Sequence, residues 1–298
     1  MKKLSLLILA LILVFASCQQ DHIFYDISQE IQLDKPSIGG KVASIKKAGD
    51  YLYAINGMLN YKSLEDKRWS KIETPAEQIS SMAIGNDTIY ILSGNTVYAA
   101  TLKNGKASSF ESYKEGVSRL FDNQAGTVYI VKDEKLFKID DKTEINPTLV
   151  DGAEAKNVVA AVSLSGVDYF FGTTACTVSE NNFYYANGAE IKYGNSPASL
   201  KTVSTNFSAT SMTIFENNIY VGTESGAFVA TIKDNDGSLS TFSYLSGNAE
   251  SAFGDREVLG IWKFDDGDNF FVSVTSASSS LYDALWGYDS SIDKWNLE

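Results

Sequence analysis

The chain has 298 residues and an acidic balance, with 37 Asp and Glu against 25 Lys and Arg, which gives a net charge of −12 at pH 7. This balance argues against nucleic acid as a partner, because the phosphates would be repelled. The only histidine, His22, lies near the start of the chain, so catalytic triads and zinc sites built on histidine are excluded.

The first 18 residues have the layout of a secretory signal. Two lysines open the chain, an almost purely apolar run covers residues 4–15, and two small residues precede Cys18. This layout predicts a signal peptide over residues 1–17. The apolar run is shorter than the roughly 20 residues that a membrane-spanning helix needs.

Residues 15–18, Phe-Ala-Ser-Cys, resemble the lipobox of bacterial lipoproteins. The resemblance implies that the thiol of Cys18 takes a diacylglycerol and that acyl chains such as palmitate hold the protein at a membrane. Residues 18–40 are then a lipid-anchored tether. Gln19, rather than aspartate, follows Cys18, and by resemblance to known sorting rules this argues against retention at an inner membrane. The expected location is therefore the outer membrane, with the protein facing the periplasm or the outside. The alternative is an ordinary secreted protein in which Cys18 is incidental.

Short strand patterns repeat along the rest of the chain. Residues 81–91 and 211–221 share a Ser-Met-X-Ile strand, a polar turn and a strand with a central tyrosine. Looser copies begin near residues 49, 126, 168 and 268, and the separations between aligned aromatic residues run from 37 to 51. That spacing is close to the period of propeller blades, about 40 to 50 residues. The aligned residues are Tyr53, Tyr90, Tyr129, Phe170, Tyr220 and Phe271.

Each repeat contains enough short strands for one blade. In the third, strands are predicted at residues 117–121, 127–131, 135–139 and 144–150. The fold class is therefore predicted to be all-β, a single β-propeller of six four-stranded blades over residues 41–298. A pair of β-sandwiches or a β-solenoid is the alternative.

Two repeats end in a way that is similar to kelch blades, with an aromatic residue on the third strand and a tryptophan at the start of the fourth. The pairs are Tyr61 with Trp69 and Tyr288 with Trp295. The resemblance concerns architecture and transfers no function. Residues 293–298 are predicted as the outer strand of the last blade, and residues 23–31 as a further strand or a tether.

Few residues carry a chemical signal. Cys176 is predicted as a small buried side chain without a disulfide partner. The acidic segments 234–238 and 265–268 are predicted as hairpin turns rather than calcium loops. No catalytic residue, metal site or cofactor is predicted.

One end of the predicted ring carries repeated carboxylates. Glu77, Glu115, Glu154 and Glu257 each come just before an innermost strand, and such loops gather at one mouth of a propeller, where ligands dock. We interpret them as an acidic mouth for a basic partner segment, a cation or a polyol. The alternative is solvated charge that discourages edge pairing.

Three functions remain open from the sequence. The favoured one is a non-enzymatic binding or scaffold module in the bacterial cell envelope, which presents a loop-lined face to an envelope protein or an extracellular ligand. The second is a carbohydrate-active enzyme, a lyase or hydrolase, that uses carboxylates at the propeller mouth. The third is a surface adhesin.

The anchor predicts a separable membrane attachment. Cys18→Ser should move the protein from the membrane fraction to the soluble fraction without unfolding it, because acylation at this residue would supply the attachment. Fractionation and circular dichroism measure the two properties. A variant that stays in the membrane would refute the lipoprotein interpretation.

Overall fold

A computed structural model of the chain describes residues 37–141, 143–234, 236–254, 256–275 and 283–298. Contacts divide the chain into residues 1–36 and a compact unit over Ser37–Glu298. Cys18, His22 and the segment 23–31 lie outside the described residues, so the predictions for them stay predictions. Within the described part, 27 short strands form seven sheets.

The seven sheets follow one another along the chain. The first contains β1 (Ser44–Ala48), β2 (Tyr51–Ile55), β3 (Leu59–Ser63) and β4 (Ser70–Ile72). The second contains β5 (Ser81–Gly85), β6 (Thr88–Ser93), β7 (Thr96–Lys103), β8 (Lys106–Ala107) and β9 (Glu111–Glu115). The third contains β10 (Val117–Asp122), β11 (Val128–Lys132) and β12 (Lys135–Lys138), and the fourth β13 (Thr148–Leu149), β14 (Ala160–Leu164) and β15 (Val167–Phe171).

The last three sheets have four strands each. The fifth contains β16 (Cys176–Val178), β17 (Phe183–Ala186), β18 (Glu190–Gly194) and β19 (Lys201–Ser204). The sixth contains β20 (Ala209–Phe215), β21 (Asn218–Thr223), β22 (Gly226–Thr231) and β23 (Ser243–Tyr244). The seventh contains β24 (Glu257–Lys263), β25 (Phe270–Thr275), β26 (Ala284–Asp289) and β27 (Lys294–Leu297), and a short helix α1 (Ala249–Phe253) precedes it.

The prediction of a single all-β propeller is confirmed, but the predicted number of six blades is wrong. The ring has seven, and the fifth sheet is the one that the repeat alignment missed. Its second-strand tyrosine, Tyr184, comes only 15 residues after Tyr169 of the fourth sheet. The fourth sheet is so short that two sheets fall within the interval that the alignment assigned to one.

The alignment was also one residue out of register in the fourth sheet. Tyr169 packs with the fifth sheet, whereas Phe170 packs back against the third. Neighbouring residues of a strand point to opposite faces, so a shift of one residue exchanges the two sides. The residue equivalent to Tyr53 is therefore Tyr169. Its hydroxyl donates to the carbonyl of Asn195 in the next sheet at 3.1 Å, as Tyr184 donates to Gly237 at 2.9 Å.

The prediction of four strands in each sheet is also wrong for part of the ring. The predicted fourth strand of the third sheet, residues 144–150, is divided. Phe137 and Glu144 form an isolated bridge, and β13 leaves for the fourth sheet, where it pairs in parallel with β15. The fourth sheet has only its inner hairpin, β14 and β15, from its own stretch of chain, and β13 supplies its third strand.

Seven apolar clusters fill the spaces between neighbouring sheets. Each sheet is apolar on both faces, so it buries both only when a sheet packs on either side. The clusters run in order around the ring, and the seventh joins the last sheet to the first through Leu52, Trp69, Phe271 and Leu285. The ring is therefore closed by side-chain packing and hydrogen bonds.

The two kelch-like tryptophans occupy the predicted positions. Tyr61 lies on β3 and Trp69 directly before β4, while Tyr288 lies on β26 and Trp295 on β27. Residues 294–297 form the outer strand of the last sheet, as predicted.

The contacts that close the ring predict that removing two buried serine hydroxyls has unequal effects on the free energy of unfolding. The amide of Val42, which is fully buried, donates to the hydroxyl of Ser273 at 2.8 Å between the first and last sheets. Ser273→Ala should lower the free energy of unfolding by about 1 to 3 kcal/mol, because that amide loses its acceptor. The control is Ser211→Ala. The Ser211 hydroxyl is buried without a hydrogen-bond partner, so its removal should cost nothing. Urea titration measures both, and equal losses would contradict the assignment.

Candidate functional site

A cavity of ≈ 1320 Å³ lies at the centre of the ring. The innermost strands of all seven sheets, or the turns beside them, line it, and the third sheet contributes residues 120–122 and its turn. The first three sheets provide every charged residue of the lining that the structure describes, and the fourth to seventh provide only uncharged ones. The charged set is Lys46, Lys47, Asp50, Asp87 and Asp122.

An ion pair fixes one part of this charged wall. The ammonium of Lys46 on β1 lies 2.7 Å from Oδ2 of Asp122 at the end of β10. The same oxygen accepts the backbone amide of Ile84 on β5 at 3.0 Å. Asp122 is almost fully buried and so connects the first three sheets. A carboxylate held by a lysine and a backbone amide from two neighbouring sheets fixes the positions of those sheets relative to its own.

The remaining charges of the wall are exposed and available. The side chains of Lys47, Asp50 and Asp87 make no ion pair within the residues that the structure describes. Asp50 follows β1 and Asp87 follows β5, so both lie at the end of the cavity where innermost strands finish. The fifth, sixth and seventh sheets contribute the hydroxyls of Thr174 and Thr213 and the indole of Trp262 to the lining.

Cys176, at the start of β16, is part of the wall of the central cavity, and only 2% of it is exposed. Its side chain packs into the apolar cluster between the fourth and fifth sheets, and it is a free cysteine. Burial raises the pKa of the thiol to about 12. The prediction that Cys176 is a small buried side chain is confirmed.

The four predicted mouth glutamates do not line the central cavity. Glu77 and Glu154 lie in the segments before β5 and β14, Glu115 ends β9, and Glu257 begins β24. They lie at the end where innermost strands begin, opposite Asp50 and Asp87. No hydrogen bond or ion pair in the described part of the chain joins any two of them. Their role in binding stays a prediction.

A second, smaller cavity of ≈ 350 Å³ opens between the fourth and fifth sheets, and Glu154 lies in its wall. The chain passes directly from β15 to β16 there, where other sheets carry outer strands. Asp151, Tyr185 and Asn187 also line this cavity. The carboxylate of Asp151 lies 2.9 Å from the ammonium of Lys192 and accepts the amide of Asn187 at 2.7 Å.

Sequence reasoning missed the charged wall of the central cavity. Lys46 and Asp122 are far apart in the chain, and both of their strands carry other polar residues as well, Lys47 on β1 and Arg119 on β10. The residues that would pair across the cavity therefore do not stand out in the sequence. No pattern in the sequence indicated the second cavity, because this cavity is present where the fourth sheet lacks outer strands of its own.

The two acidic segments form turns, as predicted. Asp265 accepts the backbone amide of Gly267 at 2.9 Å, and Asp236 accepts that of Ser238 at 3.0 Å. Among the described residues, no three His, Cys, Asp or Glu side chains are grouped so that they could hold a metal ion. Nor does any helix in those ranges have the length and apolar character of a membrane span.

Known sequences place the chain among lipoproteins. The sequence model of the TP013X lipoprotein family matches residues 3–258, which is most of the chain. A protein of Treponema pallidum (strain Nichols) named an uncharacterized lipoprotein is 32% identical over 126 residues. That match covers 40% of this chain and 33% of the relative, so the chain accounts for about a third of the relative's length.

Solved structures are similar in fold. The extracellular domain of a protein assigned as a one-component system of B. thetaiotaomicron has a TM-score of 0.56 at 10% identity, over 88% of this chain and 42% of that one. The β-propeller domain of Cps50 (Swd1) from Myceliophteria thermophila has a TM-score of 0.47 at 12% identity, over 89% and 87% of the two chains. At these identities the likeness concerns the fold alone.

The burial of Cys176 predicts an inert thiol in the folded protein. In the full-length Cys18→Ser variant, where Cys176 is the sole thiol, reaction with a maleimide at pH 8 should be slower by about 100-fold or more than in concentrated guanidinium chloride, because thiolate is scarce and access is blocked. A cysteine introduced on the exposed strand β9 as Glu111→Cys should react at the unfolded rate. Fast labelling of folded Cys176 would contradict its placement.

Proposed function

We propose, from the premise that this chain belongs to the TP013X lipoprotein family, that it is a membrane-anchored envelope protein whose propeller binds a partner without catalysis. The partner is an envelope protein or an extracellular ligand, and it docks at the central cavity. The outer membrane is the proposed location, with the anchor at Cys18. The observation that carries the proposal is the division of the cavity into a charged side and an uncharged side.

The charged side of the cavity is suited to binding because two of its charged residues pair with each other and the other three are exposed. Lys46 of the first sheet and Asp122 of the third form an ion pair, so they give the wall a fixed shape. Lys47, Asp50 and Asp87 remain exposed at the finishing end of the innermost strands. A partner with complementary charges gains orientation and association rate from such groups.

The uncharged side of the cavity offers a surface against which a partner can pack. Trp262 lies in the cavity wall, to which the fifth and sixth sheets also contribute the hydroxyls of Thr174 and Thr213. Gly260, two residues earlier on β24, leaves room for the indole, because a Cβ there would lie 2.0 Å from the Trp262 ring. Tryptophan is among the residues that most often anchor protein interfaces.

A carbohydrate-active enzyme is the second candidate, because two exposed carboxylates, Asp50 and Asp87, line the same cavity. Glycoside hydrolysis needs a pair of carboxyl groups at a defined separation across the scissile bond. The two candidates differ in an observable way, since only the enzyme would turn over a glycan.

Affinity capture with the lipidated, full-length protein from solubilised membranes tests the proposal. The double variant Lys47→Glu with Asp87→Lys should recover about tenfold less of the partner that the wild type captures, because it reverses two available charges. The control is Glu111→Lys on β9, an exposed charge reversal away from the cavity, which should leave recovery unchanged.

Two outcomes would overturn the proposed function. One is equal capture by the wild type and the cavity variant. The other is cleavage of a polysaccharide by the purified wild type that is lost in Asp50→Asn or Asp87→Asn, which would support the enzyme instead.

A further inference from the structure

The cavity between the fourth and fifth sheets has the features of a second binding site. It is separate from the central cavity and opens at the end of the ring where innermost strands begin. Its ≈ 350 Å³ is at the small end of the range for ligand pockets, about 300 to 1,000 Å³. This volume holds one ring-sized ligand rather than an extended chain.

The hydroxyl of Tyr185 is the observation that points to a ligand. Tyr185, on β17, is only 2% exposed and lines this cavity. Its hydroxyl oxygen is buried near the carboxylate of Asp151 but makes no hydrogen bond of good geometry within the described residues. A buried polar group without a partner costs free energy, and such groups in native proteins call for an explanation. By contrast, Tyr184 beside it donates its hydroxyl to the carbonyl of Gly237 at 2.9 Å.

The charges in the wall are already compensated. Asp151 is paired with Lys192 at 2.9 Å, and Glu154 is paired with Lys156 at 3.1 Å. A cationic ligand would have to displace a lysine from one of these carboxylates. An anionic ligand would meet both carboxylates in a protein that is acidic throughout. The wall therefore favours a neutral ligand.

The polar groups of the wall are suited to a ligand with several hydroxyls. Burial and the nearby carboxylate of Asp151 raise the pKa of Tyr185, so its hydroxyl stays protonated and can donate. The side-chain amide of Asn157 stands in the same wall, as does the hydroxyl of Thr173, which accepts the backbone amide of Ala175 at 3.1 Å and can still donate. The buried side chains of Val150 and Phe171 make the apolar part of the lining. A sugar ring has both kinds of surface, hydroxyls at its edge and C–H groups on its faces.

We propose that this cavity binds a single neutral sugar residue, with the Tyr185 hydroxyl donating a hydrogen bond to one of its oxygens. Asn157, Thr173 and the second carboxylate oxygen of Asp151 serve the other hydroxyls. The proposal assigns a site and a ligand class that are independent of the central cavity, so either can fail without the other.

Saturation-transfer NMR tests the proposal. The full-length protein is held in lipid nanodiscs, because detergents with sugar headgroups would compete. The probes are the methyl glycosides of glucose, galactose, mannose and N-acetylglucosamine, with glucuronate and glucosamine as charged counterparts. At least one neutral glycoside should bind with a Kd of about 1 to 10 mM, and the charged counterpart should bind more weakly.

Two tyrosine variants make the test specific. Tyr185→Phe should weaken binding about tenfold or more without lowering the urea midpoint, because it removes a hydroxyl that makes no well-formed hydrogen bond in the protein. Tyr184→Phe should lower the midpoint and leave sugar binding unchanged.

The proposal is overturned if no neutral glycoside binds up to about 50 mM, if only a charged sugar binds, or if Tyr185→Phe binds like the wild type. A loss of stability in Tyr185→Phe would also overturn it, since the hydroxyl would then have a structural role.

Discussion

Closure of the ring between the first and last sheets is the constraint on which the other packing depends. A sheet with two apolar faces is stable only between two neighbours, so a ring that stayed open would expose one face at each end.

Lys62 and Glu298 meet in the seam between the first and last sheets at 3.5 Å, and the indole of Trp69 donates to the same carboxylate at 2.9 Å. Burial lowers the pKa of Lys62 and raises that of Glu298, while their mutual attraction opposes both shifts. Removing one partner of a buried pair costs about 3 to 5 kcal/mol, because the other charge is left unpaired. The rings of Trp69 and Phe271 pack edge to face beside the pair, and the ammonium of Lys62 lies over both of them.

The sequence was sufficient to predict the class of fold because the same physical solution recurs in most sheets. A second-strand aromatic residue that faces the next sheet is visible as a repeated letter, and Tyr53, Tyr90, Tyr129 and Tyr220 gave the period. The prediction lost one sheet where that period breaks. The fourth sheet takes its outer strand from the preceding stretch of chain in parallel, and a local pattern of alternating residues contains no information about a partner strand from another repeat. The shift from Tyr169 to Phe170 has a related cause, since both residues are aromatic and only packing distinguishes their faces.

The candidate sites were harder to predict than the fold. Topology correctly indicated that several glutamates stand before innermost strands, but it could not show which carboxylates face a cavity. Of the four, Glu154 alone lines one of the two described cavities. The charged wall of the central cavity depends on the convergence of β1, β5 and β10, whose residues are far apart in sequence. The smaller cavity depends on missing strands, and the buried hydroxyl of Tyr185 becomes visible only when its neighbours are placed in space.

The seam also determines how the protein would respond to mechanical load. The chain enters the ring at Ser37 and Ile38, where Ser37 accepts the backbone amide of Trp69 at 2.9 Å and Ile38 donates to the backbone carbonyl of Glu298 at 3.3 Å. Tension on the segment before Ser37 is therefore transmitted both to the first sheet, through Trp69, and to the last sheet, through Glu298. The join between these two sheets would carry part of any load applied from the amino-terminal side.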